Sequence, residues 1–175
     1  IGQGDTLKPG LSKVSPLTRR KFVLAMRKVV HFAKANRVKK IAVAWKDVRA
    51  LAPKDMSDHE VGRVASVAFI MANYEHTTYK TRPKEGWSVI DSVAITDMTK
   101  DARTGLTLGQ TIGAAVNECR ELSNTPGGDM TPAALADAAR KAVEGTNATV
   151  KVLRRADIEA LGMGAILAIA KGSSE

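Results

Sequence analysis

Three histidines, one cysteine, a terminal serine pair and one glycine-rich turn are the residues in this 175-residue chain whose types could do chemistry. His59 and His76 each stand beside a glutamate, Glu60 and Glu75, while His31 stands apart. A metal ion needs ligands that converge in space. No H-E-x-x-H places two histidines on one helix face, so these residues read as surface or helix-face histidines. Cys119 sits in an apolar, helix-like stretch with no neighbour that would lower its pKa, and a buried structural thiol is expected there. A lone cysteine cannot form an internal disulfide, which is compatible with a reducing, cytoplasmic setting. Ser173 and Ser174 have no recognisable base partner, and neither G-x-x-x-x-G-K-[ST] nor G-x-S-x-G occurs. Catalytic, metal-binding and substrate-binding residues are therefore expected to be absent from this chain.

The stretch R-E-L-S-N-T-P-G-G-D-M-T-P, Arg120 to Pro132, holds two prolines and a glycine pair between two amphipathic segments. It reads as an ordinary loop, as a phosphate cradle over Gly127–Thr131 ahead of a helix N-terminus, or as the seam between two domains. Gly127-Gly128 does not follow a strand, as a dinucleotide loop should. Pro126 cannot continue a helix, and Gly127-Gly128 permits positive φ.

Alternating elements surround this turn. Ser15-Pro16 reads as a cap followed by proline at the first helical position. Phe22, Met26, Val29, Val30 and Ala33 then form an apolar stripe at helical spacing. Arg20, Arg27 and Lys34 recur every seven residues, with Lys21 and Lys28 beside them, as a basic face. Lys39–Trp45 reads as a strand. Ser57-x-x-Glu60 is a capping box opening a helix through Val61, Val64, Ala65, Ala68 and Met71. A polar loop from Asn73 to Trp87 leads to a strand over Ser88–Thr96. A long helix is expected from about Thr104 to Leu122; its Gly105, Gly109 and Gly113, four apart, would let another element approach closely. Thr131-Pro132 starts a helix that runs to Gly145. Thr149–Leu153 reads as a strand and Asp157–Leu161 as a short helix closed by Gly162. Gly164–Gly172, continuously apolar at its centre, reads as a strand buried on both faces and completed by residues outside the chain. Strands alternating with helices argue an α/β fold with a mostly parallel sheet.

Charge is uneven. Residues 1–40 hold eleven of the 27 Lys/Arg and one of the 18 acidic residues, Asp5; the remainder is nearly balanced. Any electrostatic attraction of a partner therefore belongs to the first helix. Aromatic content is 4%, too sparse for a base-stacking platform, so nucleic-acid binding would be weak and non-specific. No apolar run approaches the roughly 20 residues of a membrane span. The chain begins at Ile1 without a hydrophobic leader, and a natural start upstream is expected.

R-E-L-S-N-T-P-G-G-D-M-T-P-A-A-L-A, with R-R-A-D-I-E-A-L-G-M-G-A-I-L-A-I-A-K-G-S-S-E downstream, resembles the cytosolic leucyl aminopeptidases, the M17 metallopeptidase family. The matched region is about Cys119–Glu175. Gly128 departs from the asparagine that is frequent in the family, which loosens the turn without touching a catalytic position. The resemblance implies a macro-like N-terminal α/β domain with a mixed or parallel sheet over 1–103, lacking its opening strands. It further implies a linker helix over 104–123 and the start of an α/β catalytic domain over 124–175. Two divalent metal ions, zinc or manganese, a homohexamer, peptide substrates and a cytoplasmic location are also implied. The family's metal-binding lysine and carboxylates lie beyond the G-S-S-E segment. The chain alone is therefore expected to be inactive and to need a catalytic segment from the same or a separate polypeptide. The other reading is a basic nucleic-acid-binding or assembly module without enzymatic activity.

Overall fold

The computed structural model describes residues 16–173. The chain divides after Cys119 into two compact units. The described residues form a mixed α/β structure of α1 (Arg19–Ala35), β1 (Lys40–Ala44), α2 (Trp45–Leu51), α3 (Asp58–Asn73), β2 (Ser92–Thr96), α4 (Lys100–Asn124), α5 (Pro132–Ala142), α6 (Arg155–Ala160) and α7 (Gly164–Ala170).

In the first unit β1 and β2 pair in parallel, Lys40 opposite Ser92 through Ala44 opposite Thr96. Parallel neighbours need a crossover, and here it contains α2, α3 and the 74–91 loop. The core comes chiefly from helix stripes. Phe22, Met26, Val30 and Ala33 of α1 pack with Val61, Val64, Ala65, Ala68, Phe69 and Ala72 of α3, and Trp45 and Val48 of α2 complete the cluster. Each large side chain among them contributes about 1.5–3 kcal/mol of burial.

Caps follow local chemistry. Thr18, not Ser15-Pro16, opens α1, its hydroxyl accepting the Lys21 N–H at 3.4 Å. Ser15 lies outside the described residues. Leu17 N–H bonds Leu51 O, which ties Leu17 to the end of α2 and leaves Thr18 as the first residue free to cap. At the other end Arg37 takes φ 54°, and Val38 N–H reaches back to Ala33 O at 2.9 Å, closing the helix as a left-handed turn. Ser57 caps α3 as expected, accepting the Glu60 N–H at 3.2 Å.

Four expected elements differ. Trp45 begins α2 rather than ending a strand, because Trp45 and Val48, three apart, both turn into the core. The second strand starts at Ser92, since Asn73 clamps Ile90 just ahead of it: the side-chain amide donates to Ile90 O at 2.8 Å and accepts Ile90 N–H at 2.9 Å. Thr149–Leu153 is not a strand. No strand occurs among the described residues of the second unit, so its β-branched residues have no ladder to join. Gly164–Ala170 is a helix, not a buried strand. Ile169 is 88% exposed and no residue of α7 is buried. A short apolar run has no period of its own, and Ala165, Leu167, Ala168 and Ala170 favour helix intrinsically.

Candidate functional site

Each candidate residue is fixed by the element that carries it. Gly62, Gly105, Gly109 and Gly113 let α3 and α4 meet backbone to backbone. A methyl group at Gly105 would overlap the His59 carbonyl, one at Gly109 the Arg63 carbonyl and one at Gly62 the Ala102 carbonyl. One at Gly113 would stand 3.0 Å from Ile70 Cβ. The four-residue spacing is thus a packing device, as its sequence suggests.

A polar lock holds the N-terminal ends of these two helices. Arg49 of α2 donates from Nε to Asp58 Oδ1 at 3.0 Å and from its other nitrogens to the Pro53 and Met56 carbonyls. Asp58 Oδ2 accepts the Thr99 hydroxyl at 2.8 Å, and Thr99 Oγ1 accepts the Ala102 N–H. The His59 N–H donates to Asp101 Oδ2 at 2.9 Å. Charge-assisted bonds of this kind orient the chain more than they attract ligands, because their acceptors are already used.

The histidines do not converge on a metal. His31 is exposed on α1 and His59 stands at the start of α3. His76 lies in the loop, its ring 5.7 Å from Tyr79 and its Nδ1 3.5 Å from the Tyr74 hydroxyl. The neighbouring glutamates are spent on ion pairs: Glu60 with Arg19 at 2.8 Å, Glu75 with Lys34 at 2.6 Å. Among the described residues no group of three or more His, Cys, Asp or Glu side chains could hold a metal ion. These residues do not fit a two-metal centre.

Cys119 is exposed on α4, not buried as its apolar neighbours suggest, because the helix turns Gly105, Gly109 and Gly113 inward instead. The basic face of α1 is also narrower than its seven-residue period implies. Arg27 is half-buried beside Met71, and the Lys34 side chain is only 11% exposed. Ser173 closes the last turn with its N–H on Ala170 O; Ser174 lies outside the described residues.

In the second unit the turn after α4 is built from Pro126. Asp129 and Met130 N–H both donate to Pro126 O, at 2.9 and 2.8 Å. Neither Gly127 nor Gly128 takes positive φ, and both have open space at the Cβ position. The Thr131 hydroxyl accepts the Ala134 N–H at 3.2 Å and caps α5, with Pro132 at the first helical position. The Asp129 and Met130 amides and the Thr131 hydroxyl, three of the groups a phosphate cradle would use, are therefore engaged within the chain. Gly162, at φ 65°, follows α6 as its expected terminator. Between α5 and the α6–α7 pair runs a groove of about 660 Å³, lined on its apolar side by Ala136, Leu153, Ile158, Ile166 and Leu167. No described residue of this unit is buried.

A parallel strand pair packed with helices, followed by a helical segment with no buried residue among those described, defines a mixed α/β protein. Residues 117–175 match the family described as "Cytosol aminopeptidase family, catalytic domain", and the chain resembles that M17 leucyl aminopeptidase family. It is 31% identical over 146 residues to a "Probable cytosol aminopeptidase" of Solibacter usitatus, covering 83% of this chain and 28% of that one. The protein of the same name from Bacillus subtilis is 32% identical over 124 residues, 70% of this chain and 25% of the relative. That from Exiguobacterium sibiricum is 32% identical over 165 residues, 94% of this chain and 32% of the relative. The chain thus spans about a quarter to a third of the length of these three relatives. No helix among the described residues is long and apolar enough to cross a membrane.

Proposed function

We propose that this chain is the leading part of a leucyl-type aminopeptidase that releases N-terminal residues from peptides. In this reading residues 1–103 are a truncated macro-like domain, 104–123 a linker helix and 124–175 the start of the catalytic domain. Two divalent ions, zinc or manganese, belong to residues supplied by a catalytic segment beyond this chain, on the same or a separate polypeptide. A homohexamer, peptide substrates and a cytoplasmic location complete the proposal. The observation that carries it is the match of residues 117–175 to the family's catalytic domain. The groove of the second unit, apolar and uncovered within its own unit, supports it physically: a face of this composition is more stable covered than wet.

A chimera tests the reading. Residues 117–175 replace the matching segment of the Bacillus subtilis relative, and hydrolysis of leucine 4-nitroanilide is followed with added manganese or zinc. The chimera is expected to keep metal-dependent activity within about tenfold of its parent. A chimera that folds with the parent's oligomeric size yet loses hydrolysis by several orders of magnitude would sink the assignment.

A further inference from the structure

We propose that the solvent face of α1 is a docking ridge for an acidic amphipathic helix on a partner protein. The inference rests on α1 alone and is independent of the peptidase reading. Opposite its buried stripe, α1 exposes Leu24 and Phe32, 45% and 61% accessible. Eight residues apart, they stand about 12 Å from one another along the axis. Lys28 lies between them, and Arg20, Lys21 and His31, all exposed, flank them.

Apart from Arg27, half-buried against Met71, the cations of α1 and its C-terminal end fall into two sets. Arg19 pairs with Glu60 at 2.8 Å, Lys34 with Glu75 at 2.6 Å, and Arg37, just past the helix, with Glu85 at 3.6 Å. Arg20, Lys21 and Lys28 have no carboxylate partner among the described residues. No acidic residue occurs anywhere in α1. An amphipathic helix that only meets water carries a polar outer face; this one carries two large apolar side chains among unneutralised charges. A complementary surface must offer carboxylates and apolar groups together.

The spacing selects a helix as the occupant. Lys21, Leu24, Lys28 and His31 alternate three and four apart, the rhythm of a helix–helix seam. Phosphate chains would use the lysines and leave Leu24 without a role, and one phenylalanine is no stacking platform. A bilayer surface would take a continuous apolar band, which Lys28 interrupts. A second copy of this face would meet it with like charge. The ridge is pre-ordered, since the opposite face of α1 is locked into the core, so docking costs little conformational entropy on this side.

The test uses the full chain and a 21-residue helical peptide. The peptide bears two leucines eight residues apart, with glutamates on the same face. Binding is measured by titration calorimetry beside polyglutamate of equal charge, a 21-base-pair DNA duplex and phosphatidylserine vesicles. The peptide is expected to bind at least tenfold more tightly than each of the three. The pair Leu24→Ala and Phe32→Ala should weaken it by about tenfold or more. Lys21→Glu with Lys28→Glu should abolish it, and a peptide with lysines in place of its glutamates should restore it. All four positions are exposed, so the variants should melt like the parent. The proposal is overturned if no peptide binding is seen, if polyglutamate, DNA or vesicles bind as well or better, or if removing Leu24 and Phe32 changes nothing.

Discussion

Gly105 shows how a single missing carbon sets the geometry of the first unit. In a helix interior, Gly→Ala ordinarily stabilises by about 1 kcal/mol. Here the added methyl would meet the His59 carbonyl, a backbone atom that cannot swing aside. Gly105→Ala is therefore expected to destabilise the first unit by roughly 1–3 kcal/mol, the usual cost of overpacking. Gly127→Ala, in open space, should be near neutral. Urea melts of both variants decide the matter, and a stabilised Gly105→Ala would refute the close approach. Arg49 acts at the same scale. Its guanidinium serves Asp58 and two carbonyls, about a third exposed at each end of the ion pair. Arg49→Met keeps the stem but strands these acceptors, and a loss of about 1–2 kcal/mol is expected after allowance for solvent screening. An unchanged melting midpoint would show that water replaces the guanidinium without cost.

Among elements, α6 and α7 pose the sharpest contrast with α1 and α3. The stripes of α1 and α3 bury side chains to 0–8% exposure, whereas α5, α6 and α7 bury none. Isolated helices of six and seven residues are marginal in water. In the chain by itself, amides of α6 and α7 are expected to exchange with solvent within about tenfold of unstructured rates, while those of α3 are protected by the global stability of their unit. Hydrogen exchange read by NMR measures both sets in one sample. Strong protection over Ile166–Ala170 in a verified monomer would mean that the groove closes on its own, against the proposed need for further chain.

At the scale of the whole molecule the expectation concerns what the chain cannot do alone. Its described acidic and histidine side chains are dispersed or paired, and none forms a three-ligand cluster. The purified chain is therefore expected to show neither aminopeptidase turnover nor a stoichiometric zinc or manganese site. Calorimetric titration with each metal, beside a leucine 4-nitroanilide assay, is the measurement. Micromolar binding of one or two ions per chain would contradict the placement of the centre beyond it.

Several features were legible from residue order because their causes are local. The Ser57 and Thr131 caps, the arrest after α4 at Pro126 and the Gly162 terminator each depend on a few neighbouring residues. The apolar stripe of α1 was legible for a related reason, since its period is a property of one helix. The two turn motifs carried the family resemblance in the same way. What only tertiary structure decided involved partners distant in sequence. Trp45 left the strand because the core offered a pocket, and Asn73 trimmed β2 by clamping Ile90 from 17 residues away. Cys119 was turned outward because glycines claimed the inner face of its helix. Gly164–Ala170 became a helix where no strand stood ready to pair with it. A short apolar run stores a preference for burial but no direction, and the direction comes from whichever neighbour the folded chain supplies.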